Sequence, residues 1–215
     1  MVPNQRLPVK FDEMTPTVSQ PMILYLHGFR SSPASAKVRQ LADYLARQGQ
    51  ADTLWCQQLP ASPRAAITLI EQAIDSATTR PVLIGSSLGG YYASYLAEKH
   101  DLRAVLINPA VHAADLLEPY TGVVTNLYTG EAFDFTPEHI AELRELWVPE
   151  LARPERFWLI VETGDEVLDY REAVARYAGA RQTVIEGGDH SLRHFPALLE
   201  SIVSFALSDS TLEER

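Results

Sequence analysis

The chain has 215 residues, of which 46% are hydrophobic, and this size and composition allow one substantial buried core. Its formal net charge of −10 at pH 7 argues against a surface for nucleic acid or anionic membranes, because either would require a basic patch. A small-molecule partner is therefore favoured, and a monomer is the default expectation.

The single cysteine, Cys56, excludes an internal disulfide and fits a reducing compartment. Residues 1–20 lack the apolar stretch of a signal peptide, and no run approaches the roughly 18 apolar residues of a membrane span. We therefore expect a cytoplasmic protein with no membrane span.

From Met22 onward, short apolar runs alternate with helical patterns. The first predicted elements are a strand at Met22–Leu26, a helix at Ala34–Gln48, a strand at Asp52–Cys56, a helix at Arg64–Ser76, a strand at Val82–Gly85, a helix at Gly89–His100 and a strand at Ala104–Ile107. After an interruption follow a strand at Phe157–Val161, a helix at Tyr170–Ala178, a strand at Gln182–Ile185 and a helix at Phe195–Leu207. Continuously apolar strands separated by helices predict an α/β fold with a doubly wound parallel sheet of about six strands.

The division we predict is a loose arm at 1–20, a single domain at 21–208 and a C-terminal tail at 209–215. Within the domain, residues 110–154 form an insertion that is too long for an ordinary connection. We expect an irregular loop through Asn126–Gly130, then a helix with Thr136 as N-cap that runs to about Trp147. The insertion has the position of a lid or substrate wall; the alternative is a helical excursion that never contacts substrate.

Gly85-Ser86-Ser87-Leu88-Gly89 lies between an apolar strand and a helix, as a nucleophile elbow does. In such a turn the serine adopts a strained conformation, and the flanking glycines avoid collisions with neighbouring backbone. Ser87 is the predicted nucleophile, and an ordinary glycine-rich turn is the alternative.

A serine hydroxyl needs a base, and the base needs a group that orients it. His190 follows the strand at Gln182–Ile185, where a loop would carry its imidazole over the carboxyl edge of the sheet. Asp165 follows the preceding strand, and it is the preferred acid over Glu166 and Asp169. Asp169 has the alternative role of N-cap for the next helix.

The oxyanion formed during acyl transfer needs backbone N–H donors, and the amides of Phe29 and Leu88 are the predicted pair. Phe29 lies in the loop after the first strand, and Leu88 directly follows the predicted nucleophile. Candidate substrate-binding residues are His27, Gly28, Arg30, Tyr91 and Tyr128. The His27 side chain also fits an architectural role, Arg30 equally suits an anionic substrate or solvent, and the two tyrosines are alternatively core residues.

Blocks of sequence along residues 22–206 resemble the bacterial YqiA-type esterases. These blocks are Tyr25-Leu26-His27-Gly28-Phe29-Arg30-Ser31-Ser32-Pro33, Gly85-Ser86-Ser87-Leu88-Gly89-Gly90-Tyr91-Tyr92-Ala93, Asn108-Pro109-Ala110, Tyr128-Thr129-Gly130, Thr163-Gly164-Asp165-Glu166-Val167-Leu168-Asp169-Tyr170 and Glu186-Gly187-Gly188-Asp189-His190. The resemblance implies a compact α/β-hydrolase that hydrolyses carboxylic esters or acyl thioesters, with Ser87, Asp165 and His190 as its triad. The chain departs from the pattern in its N-terminal arm and at Leu127, where a proline would be more familiar.

The expected activity is hydrolysis of a small acyl ester or thioester through an acyl-enzyme on Ser87. No cofactor or metal is expected, because the sequence has no recognisable Cys/His cluster or His-Glu-x-x-His pattern. The alternatives are an acyltransferase that uses the same three residues and a non-catalytic binding protein of the same fold.

Overall fold

A computed structural model describes residues 22–208, so the predicted arm at 1–20 and tail at 209–215 lie outside the described residues. The main sheet has six parallel strands: β1 (Ile23–Leu26), β2 (Leu54–Trp55), β3 (Val82–Ser86), β4 (Arg103–Ile107), β7 (Phe157–Glu162) and β8 (Arg181–Ile185). Across the sheet they lie in the order β2-β1-β3-β4-β7-β8. The predicted α/β architecture with six parallel strands is confirmed.

Seven α-helices accompany the strands within the described part of the chain. They are α1 (Ala36–Arg47), α2 (Pro63–Ser76), α3 (Leu88–His100), α4 (Ala113–Leu117), α5 (Pro137–Glu145), α6 (Tyr170–Arg176) and α7 (Phe195–Leu207). Short 3₁₀ turns occur at Ala51–Thr53, Glu118–Tyr120 and Pro154–Arg156.

Each central strand is buried on both faces, and successive side chains enter different layers of the core. In β1, Leu24 and Leu26 belong to the apolar cluster that includes α2 and α3. Ile23 and Tyr25 belong to the cluster that includes α1 and α7. This double coverage explains why β1 is continuously apolar in sequence.

Several predicted boundaries differ from the observed ones. The strand expected at Asp52–Cys56 contains only Leu54–Trp55, because the 3₁₀ turn Ala51–Thr53 takes up its first residues. The helix α1 begins later than expected because Ser35 is its N-cap, and α2 begins at Pro63 because Ser62 caps it by accepting the amide of Ala65.

The insertion contains an antiparallel hairpin of β5 (Gly122–Thr125) and β6 (Ala132–Phe135), which the sequence pattern does not predict. The expected irregular loop at Asn126–Gly130 connects its two strands. The predicted helix is present as α5, with Thr136 as N-cap, and ends at Glu145 rather than near Trp147.

The order of the sheet positions the candidate site. From β1 the chain first crosses to β2 on one side and later to β3 on the other, so the direction of winding reverses between β1 and β3. The carboxyl ends of the strands at such a reversal leave a crevice for ligands. The loops after β1 and β3 carry His27–Arg30 and Ser87 to this crevice. None of the helices described between residues 22 and 208 combines the length and hydropathy needed to cross a bilayer.

Candidate active site

Ser87 lies in the sharp turn between β3 and α3, with φ 55° and ψ −120°. A non-glycine residue with positive φ is strained, and such strain is concentrated at functional turns. The turn is closely packed: a Cβ added to Gly85 would lie 2.2 Å from the carbonyl oxygen of Gly89, and one added to Gly89 would lie 1.9 Å from that of Leu26. Only glycine fits at these two positions, as the elbow pattern predicted.

In the structure, the imidazole of His190 contacts the carboxylate of Asp165. Nδ1 of His190 lies 2.8 Å from Oδ2 and 3.0 Å from Oδ1 of Asp165. The Asp165 side chain is 1% exposed, and its Oδ1 also accepts the amides of Val167 and Leu168 at 2.9 Å each. These contacts fix the carboxylate, which in turn holds His190 Nδ1 and leaves Nε2 for another partner.

The two alternative acids have other roles in the structure. Asp169 accepts the backbone amide of Arg171 at 3.0 Å and caps α6. Its carboxylate also pairs with the Arg171 side chain, and these hydrogen bonds lower the Asp169 pKa. Glu166 accepts the backbone amide of His190 at 3.0 Å, so it supports the main chain rather than the ring.

Ser87 and His190 border the same cavity, whose volume is about 370 Å³. Within residues 22–208, no hydrogen bond joins the Ser87 hydroxyl to His190. Contacts of this kind are often long without substrate and shorten when it binds. A Cβ built on Gly28 would lie 3.2 Å from the Ser87 Cβ and 3.6 Å from its hydroxyl oxygen, which places the loop after β1 directly against the predicted nucleophile.

The backbone amides of Phe29 and Leu88 are the predicted oxyanion donors. Leu88 is the first residue of α3, where amides lack partners within the helix and the helix dipole favours negative charge. In the described part of the chain, neither amide is hydrogen-bonded to an acceptor, and both residues border a second cavity of about 500 Å³. The assignment of these two amides as oxyanion donors stays a prediction, and both are free of acceptors within residues 22–208.

The His27 ring is engaged by the protein itself. Its Nε2 accepts the amide of Leu59 at 3.1 Å, and its Nδ1 lies 3.0 Å from the carbonyl oxygen of Gly28. Nδ1 is therefore the protonated nitrogen, and burial lowers the pKa of the ring. His27 borders both cavities, but its nitrogens hold the loops after β1 and β2 together, as the architectural interpretation expects.

Arg30 and the hairpin are linked across the crevice. Nε of Arg30 donates to the carbonyl oxygen of Thr125 at 2.7 Å, and the amide of Leu127 donates to the carbonyl oxygen of Arg30 at 2.8 Å. The buried Asn126 adds a side-chain bond to the carbonyl oxygen of Ser31 at 2.8 Å. These contacts fix the hairpin beside the loop after β1, so part of the insertion forms a wall of the larger cavity.

The two tyrosine candidates lie in different environments. Tyr128 is 48% exposed and borders the cavity that contains Ser87. Tyr91 borders neither cavity: its hydroxyl donates to the carbonyl oxygen of Leu143 in α5 at 2.8 Å, which makes it a packing residue. The neighbouring Tyr92 borders the larger cavity instead. Adjacent helix positions point about 100° apart, so only Tyr92 reaches the larger cavity. Tyr91 as a substrate contact stays a prediction that this packing does not favour.

Sequence reasoning missed a buried carboxylate beneath the His190 loop. Glu162, at the end of β7, is 0% exposed and accepts the amides of Asp189 at 2.6 Å, Arg193 at 3.2 Å and His194 at 3.0 Å. Its Oε1 also lies 2.7 Å from Nδ1 of His194. Burial acts to raise the pKa of Glu162, but the hydrogen bonds from His194 and Asp189 outweigh it and hold the pKa below its ordinary value. Glu162 therefore remains ionised and holds both sides of the loop.

Asn108 supports the same loop from the end of β4. Its Nδ2 donates to the carbonyl oxygens of Asp189 at 3.2 Å and His190 at 3.1 Å. Its Oδ1 accepts the amide of Glu162 at 3.1 Å. The Asn108 side chain is buried, and its partner in each of these hydrogen bonds is a backbone atom. Asn108 appeared in a sequence block that resembles the esterases, but only its contacts reveal what it positions.

Lys37, at the start of α1, borders the smaller cavity. Its ammonium donates to the carbonyl oxygen of Ser191 at 2.9 Å. Burial lowers the pKa of Lys37 to about 8, against the opposing influence of Asp189, Glu162 and Asp165. This cation was not predicted from sequence, because a lysine in a helix is usually solvated.

Comparison with known structures defines the fold class as that of the α/β-hydrolases. A protein described as a hydrolase from Agrobacterium vitis S4 has a TM-score of 0.70 at 19% identity, with 88% of each chain covered. The mouse α/β hydrolase domain-containing protein 10 has a TM-score of 0.66 at 16% identity, covering 86% of this chain and 89% of its own. Est1E from Butyrivibrio proteoclasticus has a TM-score of 0.61 at 14% identity, with 86% of each chain covered.

The chain belongs to the uncharacterised protein family UPF0227, whose model matches residues 22–207. A UPF0227 protein of Shewanella sp. (strain ANA-3) is 31% identical over 196 residues, which cover 87% of this chain and all of the relative. The family match confirms the resemblance to the YqiA-type proteins.

Proposed function

We propose that the protein is a serine hydrolase that cleaves carboxylic esters or acyl thioesters through an acyl-enzyme on Ser87. The observation that carries this proposal is that a strained Ser87 borders the same cavity as His190, whose ring lies 2.8 Å from Asp165. The α/β-hydrolase fold, which positions a nucleophile at the turn after a central strand, supports it.

In the proposed first step, Nε2 of His190 removes the proton from the Ser87 hydroxyl as the oxygen attacks the acyl carbonyl carbon. Asp165 holds the imidazole in the required tautomer and stabilises its charged form. The carbonyl oxygen becomes an oxyanion and accepts hydrogen bonds from the amides of Phe29 and Leu88.

The tetrahedral intermediate then collapses to the acyl-enzyme. His190 delivers the proton to the leaving alcohol or thiol, whose bond to the carbonyl carbon breaks. In the second half, His190 removes a proton from water, the water oxygen attacks the acyl carbon, and Ser87 leaves with the proton returned to its oxygen. The products are a carboxylic acid and the free alcohol or thiol.

Steady-state hydrolysis of short-chain 4-nitrophenyl esters and the matching acyl thioesters tests the proposal. We expect turnover by the wild type, and a loss of about 10⁴-fold or more in kcat for both Ser87→Ala and His190→Ala. An unchanged rate in Ser87→Ala would overturn the proposal. Ser94→Ala is a matched control, because Ser94 is a buried serine of α3 that bonds to Gly90 and Tyr177 away from both cavities.

Product analysis with added alcohol separates hydrolysis from acyl transfer. We expect the free acid to remain the main product when the alcohol is added. Transfer of most acyl groups to the alcohol would instead identify an acyltransferase with the same three residues. Absence of turnover with every ester and thioester would favour a binding protein of this fold.

A further inference from the structure

We infer that the smaller cavity contains an anion subsite centred on Lys37, so that the substrate carries a carboxylate or phosphate group. The inference rests on the proposed function, because it places this group in the cavity that Ser87 and His190 border. The anionic group belongs either to the acid or to the alcohol or thiol of the substrate, and matched pairs of esters separate these two sources.

Lys37 supplies a cation with unused donors. An ammonium has three N–H groups, and within residues 22–208 that of Lys37 makes one hydrogen bond, to the carbonyl oxygen of Ser191 at 2.9 Å. Burial lowers the pKa of Lys37 to about 8, so the side chain is still mostly charged at pH 7. Two N–H groups of a charged donor are therefore open to a substrate anion.

The carboxylates whose charges act on Lys37 are bound to other partners. Each contacts a cationic or imidazole side chain, and the pairs are Asp165–His190, Asp189–Arg193 and Glu162–His194. Glu166, which borders the cavity, accepts the backbone amide of His190 at 3.0 Å. In the described part of the chain, no carboxylate forms an ion pair with the Lys37 ammonium. An anion that enters the cavity can therefore contact this ammonium directly.

The N-terminus of α1 adds further donors at the same place. Ser35, Ala36 and Lys37 all border the cavity. The first turn of α1 contains no acidic residue, and the N-cap Ser35 makes no side-chain hydrogen bond to the helix. Among residues 22–208, the amides of Ala36 and Lys37 have no acceptor. Unpaired amides and the positive end of the helix dipole favour a negative charge here.

The hydroxyl of Tyr25 points to a ligand independently of the helix. Tyr25 is 1% exposed and borders the same cavity, and its hydroxyl has no hydrogen-bond partner in the described residues. Ser86 is a polar neighbour, but the two hydroxyls do not meet hydrogen-bond geometry. Burial raises the pKa of Tyr25, so the hydroxyl stays protonated and can donate to an anion. Buried polar groups normally have partners, and a substrate carboxylate or phosphate would accept this proton.

Two matched pairs of esters test the subsite. In the first pair the charge is on the acid: 4-nitrophenyl hydrogen adipate is compared with 4-nitrophenyl methyl adipate. In the second pair the charge is on the alcohol: 4-acetoxybenzoate is compared with methyl 4-acetoxybenzoate. Release of the phenol is followed at pH 7, and the readout is the ratio of kcat/KM for the anionic ester to that for the neutral ester. Differences in intrinsic reactivity cancel when this ratio is compared between variants.

Lys37→Met removes the charge and keeps the length of the side chain. We expect it to lower the ratio by about tenfold or more for at least one pair, the scale of a charge-assisted hydrogen bond. The pair that responds identifies the part of the substrate that carries the anion. Lys99→Met is the matched control, because Lys99 also lies in a helix, pairs with Glu71 at 2.7 Å and borders neither cavity. It should leave both ratios within about twofold of the wild type.

Ratios that stay within about twofold of the wild type for both pairs in Lys37→Met would overturn the inference. This includes an equal decrease in kcat/KM for all four esters, which would show that Lys37 only holds the His190 loop through Ser191. Covalent labelling of Ser87 by a small fluorophosphonate distinguishes the two levels of failure. If wild-type Ser87 is labelled while both ratios are unchanged in Lys37→Met, only the anion subsite is wrong; if wild-type Ser87 is not labelled, the proposed function fails too.

Discussion

Glu162 holds the backbone of Asp189: its Oε2 accepts the Asp189 amide at 2.6 Å, directly before His190 in the chain. The same carboxylate accepts two further amides beyond His190, so the imidazole sits on a loop fixed at both ends. Glu162 is a positioning residue in the proposed mechanism, since it acts on His190 through the main chain.

Replacing Glu162 should therefore slow turnover while Ser87 itself is unchanged. We expect Glu162→Ala to lower kcat by about 10²-fold, the scale associated with a misplaced catalytic group, and Glu162→Gln to retain an intermediate rate because one acceptor oxygen remains. Ester kinetics, combined with the fraction of Ser87 that a fluorophosphonate labels after long incubation, gives the readout. If Glu162 only stabilised the fold, its replacement would reduce the labelled fraction of Ser87 in proportion to the rate. Our account predicts no such proportional loss of labelling. Glu186→Gln, an exposed carboxylate on the same loop, is the control.

Glu162 should also make stability depend on pH. Because the pKa of Glu162 is lowered in the folded protein, its carboxylate contributes stability that is complete above the unfolded pKa of about 4.3. That contribution is lost as the pH falls through the lower, folded pKa. The test compares a His194→Gln protein, which lacks the neighbouring imidazole, with the same protein carrying Glu162→Gln as well. The difference between their free energies of unfolding, measured with urea, should shrink below about pH 4. A difference that grows on acidification would contradict this assignment.

Asp165 and Asp169 provide a matched test of which carboxylate acts on His190. Asp165→Asn should lower kcat by about 10³- to 10⁴-fold, because an amide no longer favours the tautomer and charged form of His190 that the mechanism needs. Asp169→Asn should leave kcat within about twofold, since asparagine also caps helices well. The assay is hydrolysis of a 4-nitrophenyl ester at pH 8. Equal losses in the two variants would contradict the assignment of Asp165.

The close packing of the turn around Ser87 predicts that a single added methyl group strongly lowers the free energy of unfolding. Gly89→Ala should lower the free energy of unfolding by about 3 kcal/mol or more, because its Cβ would lie 1.9 Å from the Leu26 carbonyl oxygen and the backbone must move. Gly49→Asn is the control, since no atom lies within 4 Å of a Cβ there and asparagine tolerates its φ of 71°. Denaturant unfolding measures both variants, and a Gly89→Ala protein of wild-type stability would refute the packing argument.

The parts of the fold that sequence predicts are those with strong local signals. The apolar strands β1, β3, β4 and β7 and the glycine-flanked Ser87 are visible because burial on both faces and a strained turn each restrict residue type. The same logic placed Asp165 and His190 at neighbouring strand ends, where the structure joins their side chains.

The features that sequence did not reveal depend on contacts between distant residues. Strand β5, Gly122–Thr125, is largely exposed and lacks the alternation of a half-buried strand, so the hairpin has no clear pattern. Glu162 lies at the end of an apolar strand, and the amides it accepts are 27 to 32 residues away. Tyr91 and Tyr92 are adjacent and chemically identical, and only the packing of α5 shows which one reaches the larger cavity.

Covalent labelling of Ser87 tests the central claim most directly. The wild type, Ser87→Ala and His190→Ala are incubated with a fluorophosphonate, and intact mass and peptide mapping follow. Our account predicts one adduct per chain, located on Ser87, absent in Ser87→Ala and formed far more slowly in His190→Ala. An adduct that persists in Ser87→Ala, or a wild-type protein that forms none, would contradict it.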